Sequence, residues 1–107
     1  MKVLIVDDEQ PARDRLRTIL EDEDGFDVVG EARNGQEALV ECERLAPDVI
    51  LLDIRMPGLD GIETAHHLNA LASSPAVVFT TAYDEYAVDA FEARAIGYVL
   101  KPVRRAK

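Results

Sequence analysis

Five β units alternating with four segments of helical periodicity predict an α/β domain of three layers, a parallel sheet with helices on both faces. Three observations carry that expectation. The runs Val3-Leu4-Ile5-Val6, Val49-Ile50-Leu51-Leu52 and Ala76-Val77-Val78-Phe79 are continuously apolar, as strands covered on both sides are. The segments between them carry apolar residues at helical spacing. The chain has 107 residues, enough for one core and too few for two.

The elements follow in order. Lys2 to Val6 forms the first strand, and a helix runs from about Pro11, a good first-turn residue, to Leu20, with Ala12, Leu16, Ile19 and Leu20 on one face. The acidic segment Glu21-Asp22-Glu23-Asp24-Gly25 stops it and reads as a solvated helix end. Val28-Val29 lies in the second strand. A helix from Asn34-Gly35 to Leu45 turns Ala38, Leu39, Cys42 and Leu45 inward before Pro47 breaks it. The third strand ends at Asp53, and a loop from Ile54 to Asp60 leads to a helix from Gly61 to about Leu71 carrying Ile62, Ala65, Leu68 and Leu71. Ala76 to Thr80 is the fourth strand. Tyr86 to about Arg94 is the fourth helix, with Tyr86, Ala87, Ala90 and Phe91 as its apolar stripe, and Tyr98 to Leu100 is the fifth strand.

Composition narrows the function classes. A net charge of −9 argues against a nucleic-acid surface on this chain, since phosphate backbones are met by basic stripes. The basic residues Arg104, Arg105 and Lys107 read as a linker or solvated end. One cysteine, Cys42, makes no internal disulfide and fits a small core position. His66 and His67 read as surface residues beside a helix face. No signal peptide or long apolar span is evident, so a cytoplasmic protein without membrane contact is expected.

The chemistry gathers where apolar runs end. Asp7 and Asp8 close the first, Asp53 closes the third, and Lys101 follows Tyr98-Val99-Leu100 and precedes Pro102. In parallel sheets the working residues collect at the carboxyl ends of strands, and the order 2-1-3-4-5 sets the ends of strands one and three side by side. Crowded carboxylates repel one another, so a hard cation such as Mg²⁺, with oxygen ligands and open water positions, suits the pocket. Asp53 is then the candidate nucleophile toward a phosphoryl group, with the metal and Lys101 spreading the charge. Any one aspartate alone is more often a turn former or helix cap. The ordered combination is what points to a phosphate site.

The stretches Ile5-Val6-Asp7-Asp8-Glu9, Leu51 to Gly61, Thr81-Ala82 and Lys101-Pro102 together resemble the receiver domain of bacterial two-component response regulators. Thr81-Ala82-Tyr83-Asp84-Glu85-Tyr86-Ala87, Ala90 to Ala93 and Gly97 to Val103 are similar to regulators of the LytTR class, the alginate regulators most closely, in which a receiver precedes a DNA-binding domain. The resemblance implies a flavodoxin-like, CheY-like three-layer sandwich. It implies that Asp53 is the phosphoacceptor, that Asp8, Asp53 and the Arg55 backbone carbonyl hold Mg²⁺, and that Asp7 assists through water. It assigns Thr81 to the phosphoryl group, Ala82 to access, Lys101 to charge balance and Tyr98 to an aromatic switch. Arg55 and Tyr83 fall at positions that tune phosphoryl lifetime, and Glu9 orients the loop.

The expected function is a phosphorylation-controlled switch rather than a turnover enzyme, promoting only its own phosphorylation and dephosphorylation. Its donor would be a sensor histidine kinase or a small molecule such as acetyl phosphate, and DNA would be reached only through an output domain. Two alternatives stand beside it. An aspartate-nucleophile phosphatase of the haloacid dehalogenase type would carry Asp-x-Asp after its first strand, where this chain has Asp7-Asp8-Glu9, and a phosphate-independent interaction module would not need the full set of Asp8, Asp53, Thr81 and Lys101. After the fifth strand only Pro102 to Lys107 follow, too few for the fifth helix that the resemblance places there. A receiver over residues 1–107, truncated at that helix, is therefore expected to expose apolar surface over strands one, three and four and to self-associate through it.

Overall fold

The computed structural model describes residues 1–104; Arg105, Ala106 and Lys107, part of the basic end noted in the sequence, lie outside the described residues. The strands are β1 (Lys2–Val6), β2 (Asp27–Ala32), β3 (Val49–Leu52), β4 (Ala76–Thr81) and β5 (Gly97–Leu100). They form one parallel sheet in the order β2-β1-β3-β4-β5. The helices are α1 (Gln10–Glu21), α2 (Gly35–Leu45), α3 (Gly61–Asn69) and α4 (Ala87–Glu92). The predicted fold class and strand order are both observed.

Alternate residues of the central strands face opposite layers. Leu4 and Val6 of β1, Ile50 and Leu52 of β3, and Val77 and Phe79 of β4 join Ala38 and Cys42 of α2, Ala65 and Leu68 of α3, and Ala90 in the larger core. Val3 and Ile5 face the other way and meet Leu16 of α1, with Leu20, Val28, Leu51 and Val103 half-buried around them. On this thinner side a groove of about 450 Å³ runs between Pro11, Ala12 and Leu16 of α1 and Lys101, Pro102 and Val103. Arg15 Nε donates to the Val103 carbonyl across it at 2.6 Å.

Local chemistry sets the helix ends. Asn34 caps α2 by accepting the Glu37 N–H at 2.8 Å, and Ala46 closes that helix in the left-handed region, at φ 47°. Asp60 and Glu63 form a reciprocal capping box at the start of α3. Burial pushes the Cys42 thiol up to about 11, which suits the inert core position expected of it. His66 and His67 are exposed, also as expected.

The fourth helix differs from its expectation. It spans six residues, because Arg94 takes a left-handed φ of 63° and ends the run early. Of the expected stripe, Ala90 is buried and Tyr86 packs partly on the core, whereas Ala87 is exposed and Phe91 is 83 % exposed. The inward line runs instead through Tyr86, Ala90 and Ala93, which stand four and three residues apart, and that spacing turns Phe91 to the solvent. The α1 face differs too: Ile19 is only half-buried, while Arg13, one turn before Leu16, is buried.

Candidate functional site

The β1–β3 register sets Val6 opposite Leu52, so the next residue of each strand, Asp7 and Asp53, leaves the sheet at the same edge. The Asp53 N–H continues the ladder by donating to the Val6 carbonyl at 2.9 Å. On the other side of β3, the pairing of Thr81 with Leu100 brings Thr81 and Lys101 to that edge, and the Lys101 N–H donates to the Thr81 carbonyl at 2.7 Å. Four strand ends far apart in sequence thus supply one site. The Lys101–Pro102 peptide is cis.

Asp7 is fully buried and Asp53 is 5 % exposed, while Asp8 is exposed. Ligand oxygens of all three lie within 4.8 Å of one another. Lys101 Nζ sits 2.7 Å from Asp7 Oδ2 and 3.5 Å from Asp53 Oδ2. The first contact makes Lys101 the close countercharge of the buried Asp7 Oδ2. The remaining oxygens accept backbone amides, Asp7 Oδ1 from Glu9 and Asp53 Oδ1 from Ile54, each at 2.9 Å. The first of these is a turn in which the Asp7 side chain accepts the amide two residues on, and the Glu9 side chain takes no part in it.

Electrostatics at this edge favour additional positive charge. Burial, with the neighbouring Asp7 carboxylate, pushes Asp53 up to about 6, even though Lys101 and the Ile54 amide pull the other way. Burial alone would lower the Lys101 pKa, but Asp7 and Asp53 outweigh it and hold the ammonium above its ordinary value. A bound cation would relieve the same repulsion, and an all-oxygen donor set of carboxylates suits a hard one. The alternative use of Asp8 as a helix cap does not hold, because α1 starts at Gln10 with Glu9 at the cap position and no side chain capping it.

Thr81 is fully buried, and its Oγ1 accepts the Tyr83 N–H at 3.2 Å. The Tyr98 hydroxyl donates to the Tyr83 carbonyl. One residue, Tyr83, is thus gripped at its two backbone groups by the two expected switch residues. Ala82, between Thr81 and Tyr83 in sequence, is exposed. The Arg55 guanidinium stacks over the Tyr83 ring at 4.4 Å, and Tyr83 meets Tyr86 edge-on at 6.3 Å between ring centres. The two residues expected to tune lifetime are therefore in contact with each other.

The sequence reading missed Arg13, whose guanidinium reaches the Asp7 carbonyl, and Gly61, whose N–H donates to the Ile54 carbonyl at 2.7 Å. Asp60 followed three residues later by Glu63 was a visible signal for the second. Nothing local marks the first.

Residues 3–107 match the response regulator receiver domain family. The positive alginate biosynthesis regulatory protein of Pseudomonas aeruginosa is 52 % identical over 105 residues, which is 97 % of this chain and 42 % of that protein. The sensory transduction protein LytT of Bacillus cereus is 45 % identical over 102 residues, 95 % of this chain and 42 % of its own length. The chain thus spans less than half the length of these curated relatives. Among solved structures, the CheX–CheY–BeF₃–Mg²⁺ complex from Borrelia burgdorferi superposes with a TM-score of 0.90 at 28 % identity, over 98 % of this chain and 81 % of that one. With matching sequence, strand order and acidic edge, this chain belongs to the response regulator receiver domain family, and its relatives are regulators of the LytTR class.

Proposed function

We propose that Asp53 accepts a phosphoryl group in a Mg²⁺-dependent reaction and that the resulting aspartyl phosphate switches an output that regulates transcription. The observation that carries this reading is the Lys101 ammonium between the buried carboxylates of Asp7 and Asp53, at 2.7 and 3.5 Å. Asp8, Asp53 and the Arg55 backbone carbonyl would hold the Mg²⁺, with Asp7 acting through water. When bound, it supplies positive charge to the phosphoryl oxygens. The Borrelia complex, which carries both BeF₃ and Mg²⁺, supports that choice of ion.

In the transfer, an Asp53 carboxylate oxygen forms a bond to phosphorus as the bond to the donor breaks, the P–N bond of a phosphohistidine or the P–O bond of acetyl phosphate. The donor group leaves with the bonding pair. Lys101 is placed to pair with the new phosphoryl oxygens, and Thr81 to donate its hydroxyl to them. Once that hydroxyl turns inward, the Tyr83 N–H loses its acceptor, and Tyr98, held on the Tyr83 carbonyl, is freed to repack. The phosphoryl group need only favour one of two existing states. Arg55 stacked on Tyr83 is set to govern water access and hence lifetime.

The partners that follow, for a chain read as cytoplasmic, are a sensor histidine kinase or a small-molecule phosphodonor, with DNA reached through an output domain. Self-association over the groove between α1 and Val103 is part of the same reading, supported by the thin core on that side; light scattering that finds only monomer across a concentration series would remove it. The chain is read as a switch and not a turnover phosphatase, because its first strand ends in Asp7-Asp8-Glu9 where a phosphatase of the haloacid dehalogenase type would carry Asp-x-Asp. Intact mass after treatment with acetyl phosphate and Mg²⁺ tests the whole reading. One phosphoryl group is expected on the wild type and none on Asp53→Ala, and unchanged modification of that variant would overturn the assignment.

A further inference from the structure

Among the described residues, Arg13 is the basic side chain that is buried, at 6 % exposure. Its donors are committed to three parts of the chain. Nη1 donates to the backbone carbonyl of Asp7 at 2.6 Å, Nη2 to Gln10 Oε1 at 2.6 Å, and Nε to Glu31 Oε1 at 3.0 Å. Glu31 stands on β2, and its other oxygen takes Arg17 Nε at 2.9 Å, so two arginines one helical turn apart share one carboxylate.

The Asp7 carbonyl belongs to the peptide that joins Asp7 to Asp8. Its orientation fixes where both carboxylates begin. On its other side Asp7 donates its N–H to the Ala32 carbonyl at 3.1 Å, at the end of the same strand that carries Glu31. Asp7 is thus tied to β2 directly by its N–H and, through Arg13 and Glu31, by its carbonyl. A planar guanidinium bonded along two edges holds direction as well as distance, which an ammonium on a flexible stem does not.

We propose that Arg13 is a positioning residue for the cation site: by linking the Asp7–Asp8 peptide to Glu31 it presets the acidic pair that receives the metal. The proposal rests on the reading of Asp8 and Asp53 as metal ligands. A purely structural role, seating α1 on the sheet, would lower stability without altering the affinity for the ion.

The test is a Mg²⁺ titration of the full 107-residue chain, followed by the amide shifts of Asp8 and Asp53, together with the Mg²⁺ dependence of phosphorylation by acetyl phosphate. Arg13→Gln is expected to weaken Mg²⁺ binding about tenfold, the scale typical for groups that orient metal ligands. Its phosphorylation rate at saturating Mg²⁺ should be retained. Arg13→Lys, with one donor head for three separate acceptors, should fall between that variant and the wild type. Glu31→Gln keeps Arg13 but loosens its anchor, so it should shift the affinity in the same direction by less, and it decides the matter if Arg13→Gln does not fold. Folded variants that melt lower yet bind Mg²⁺ as the wild type does would overturn the proposal alone. Wild-type protein that takes up no Mg²⁺ at Asp8 and Asp53 would overturn the site reading and the proposal together.

Discussion

Replacing Gly61 with alanine puts a methyl group against the backbone of Asp53, the proposed phosphoacceptor. A Cβ at this position would lie 2.1 Å from the Asp53 carbonyl oxygen, 2.7 Å from Ile54 Cα and 2.9 Å from the Asp53 carbonyl carbon. These are main-chain atoms that cannot swing aside as a side-chain tip can. Asp53 is also fixed by its N–H on Val6 and by the Ile54 amide on its carboxylate, so α3 and the end of β3 must part by close to an ångström. Overpacking of this kind costs about 1–3 kcal/mol. At about 4–8 °C of melting temperature per kcal/mol for a domain of this size, a fall on the order of 10 °C is expected.

The same shift moves the Asp53 carboxylate, and a misplacement of about 1 Å is able to slow a reaction about a hundredfold. Circular-dichroism melts and the rate of acetyl phosphate labelling at 20 °C, well below the transition, separate the two effects. Gly58→Ala is the control. Its φ of 78° strains any side chain, at about 1 kcal/mol, but the nearest atom to its Cβ would be the tip of Gln36 at 3.6 Å, so its labelling rate should be kept. A Gly61→Ala protein that melts within about 2 °C of the wild type and labels at the same rate would refute the reasoning.

Asp53 itself is expected to destabilise the metal-free fold. Its folded-state pKa is raised to about 6, so the penalty of its charge is full above pH 6 and absent below the unfolded carboxylate value. In EDTA at pH 8, Asp53→Asn should therefore be more stable than the wild type by about 2–3 kcal/mol, with the gain shrinking as the pH falls from 6 to 4; a variant less stable than the wild type at pH 8 would contradict it. Thr81→Ala should still accept phosphate but respond weakly, because Tyr83 then loses the acceptor that ties its N–H to the site. Tyr98 ring shifts on adding beryllofluoride that match the wild type would show that the hydroxyl is not the coupling element.

Asp7, Asp8, Asp53 and Lys101 were legible because they stand at the ends of three apolar runs, and a parallel sheet delivers every strand's carboxyl end to one edge, whereas Thr81 came from resemblance alone. The pairing of Val6 with Leu52 does the rest without any help from the loops. The ends of α4 were not legible: a six-residue helix gives too few turns for periodicity to choose between Phe91 and Ala93 as the buried position. The roles of Ala82, Tyr98 and Arg55 came from resemblance, since an alanine, a strand tyrosine and an exposed arginine carry no chemistry of their own to single them out.

Arg13 failed to show for a different reason. A charge on an amphipathic helix reads as solvent-facing unless its partners are known, and its partners here are a carboxylate on β2 and a backbone carbonyl, which no sequence pattern displays. The burial is tolerable because each guanidinium edge is matched: Glu31 supplies the countercharge and Gln10 and Asp7 the remaining acceptors. Removing one partner would leave the others unpaired, so the network holds its geometry as a unit. That is the property an acidic loop needs when its carboxylates repel one another. Apolar strand ends bring the charges to one edge, and a buried polar network holds the backbone that carries them in place.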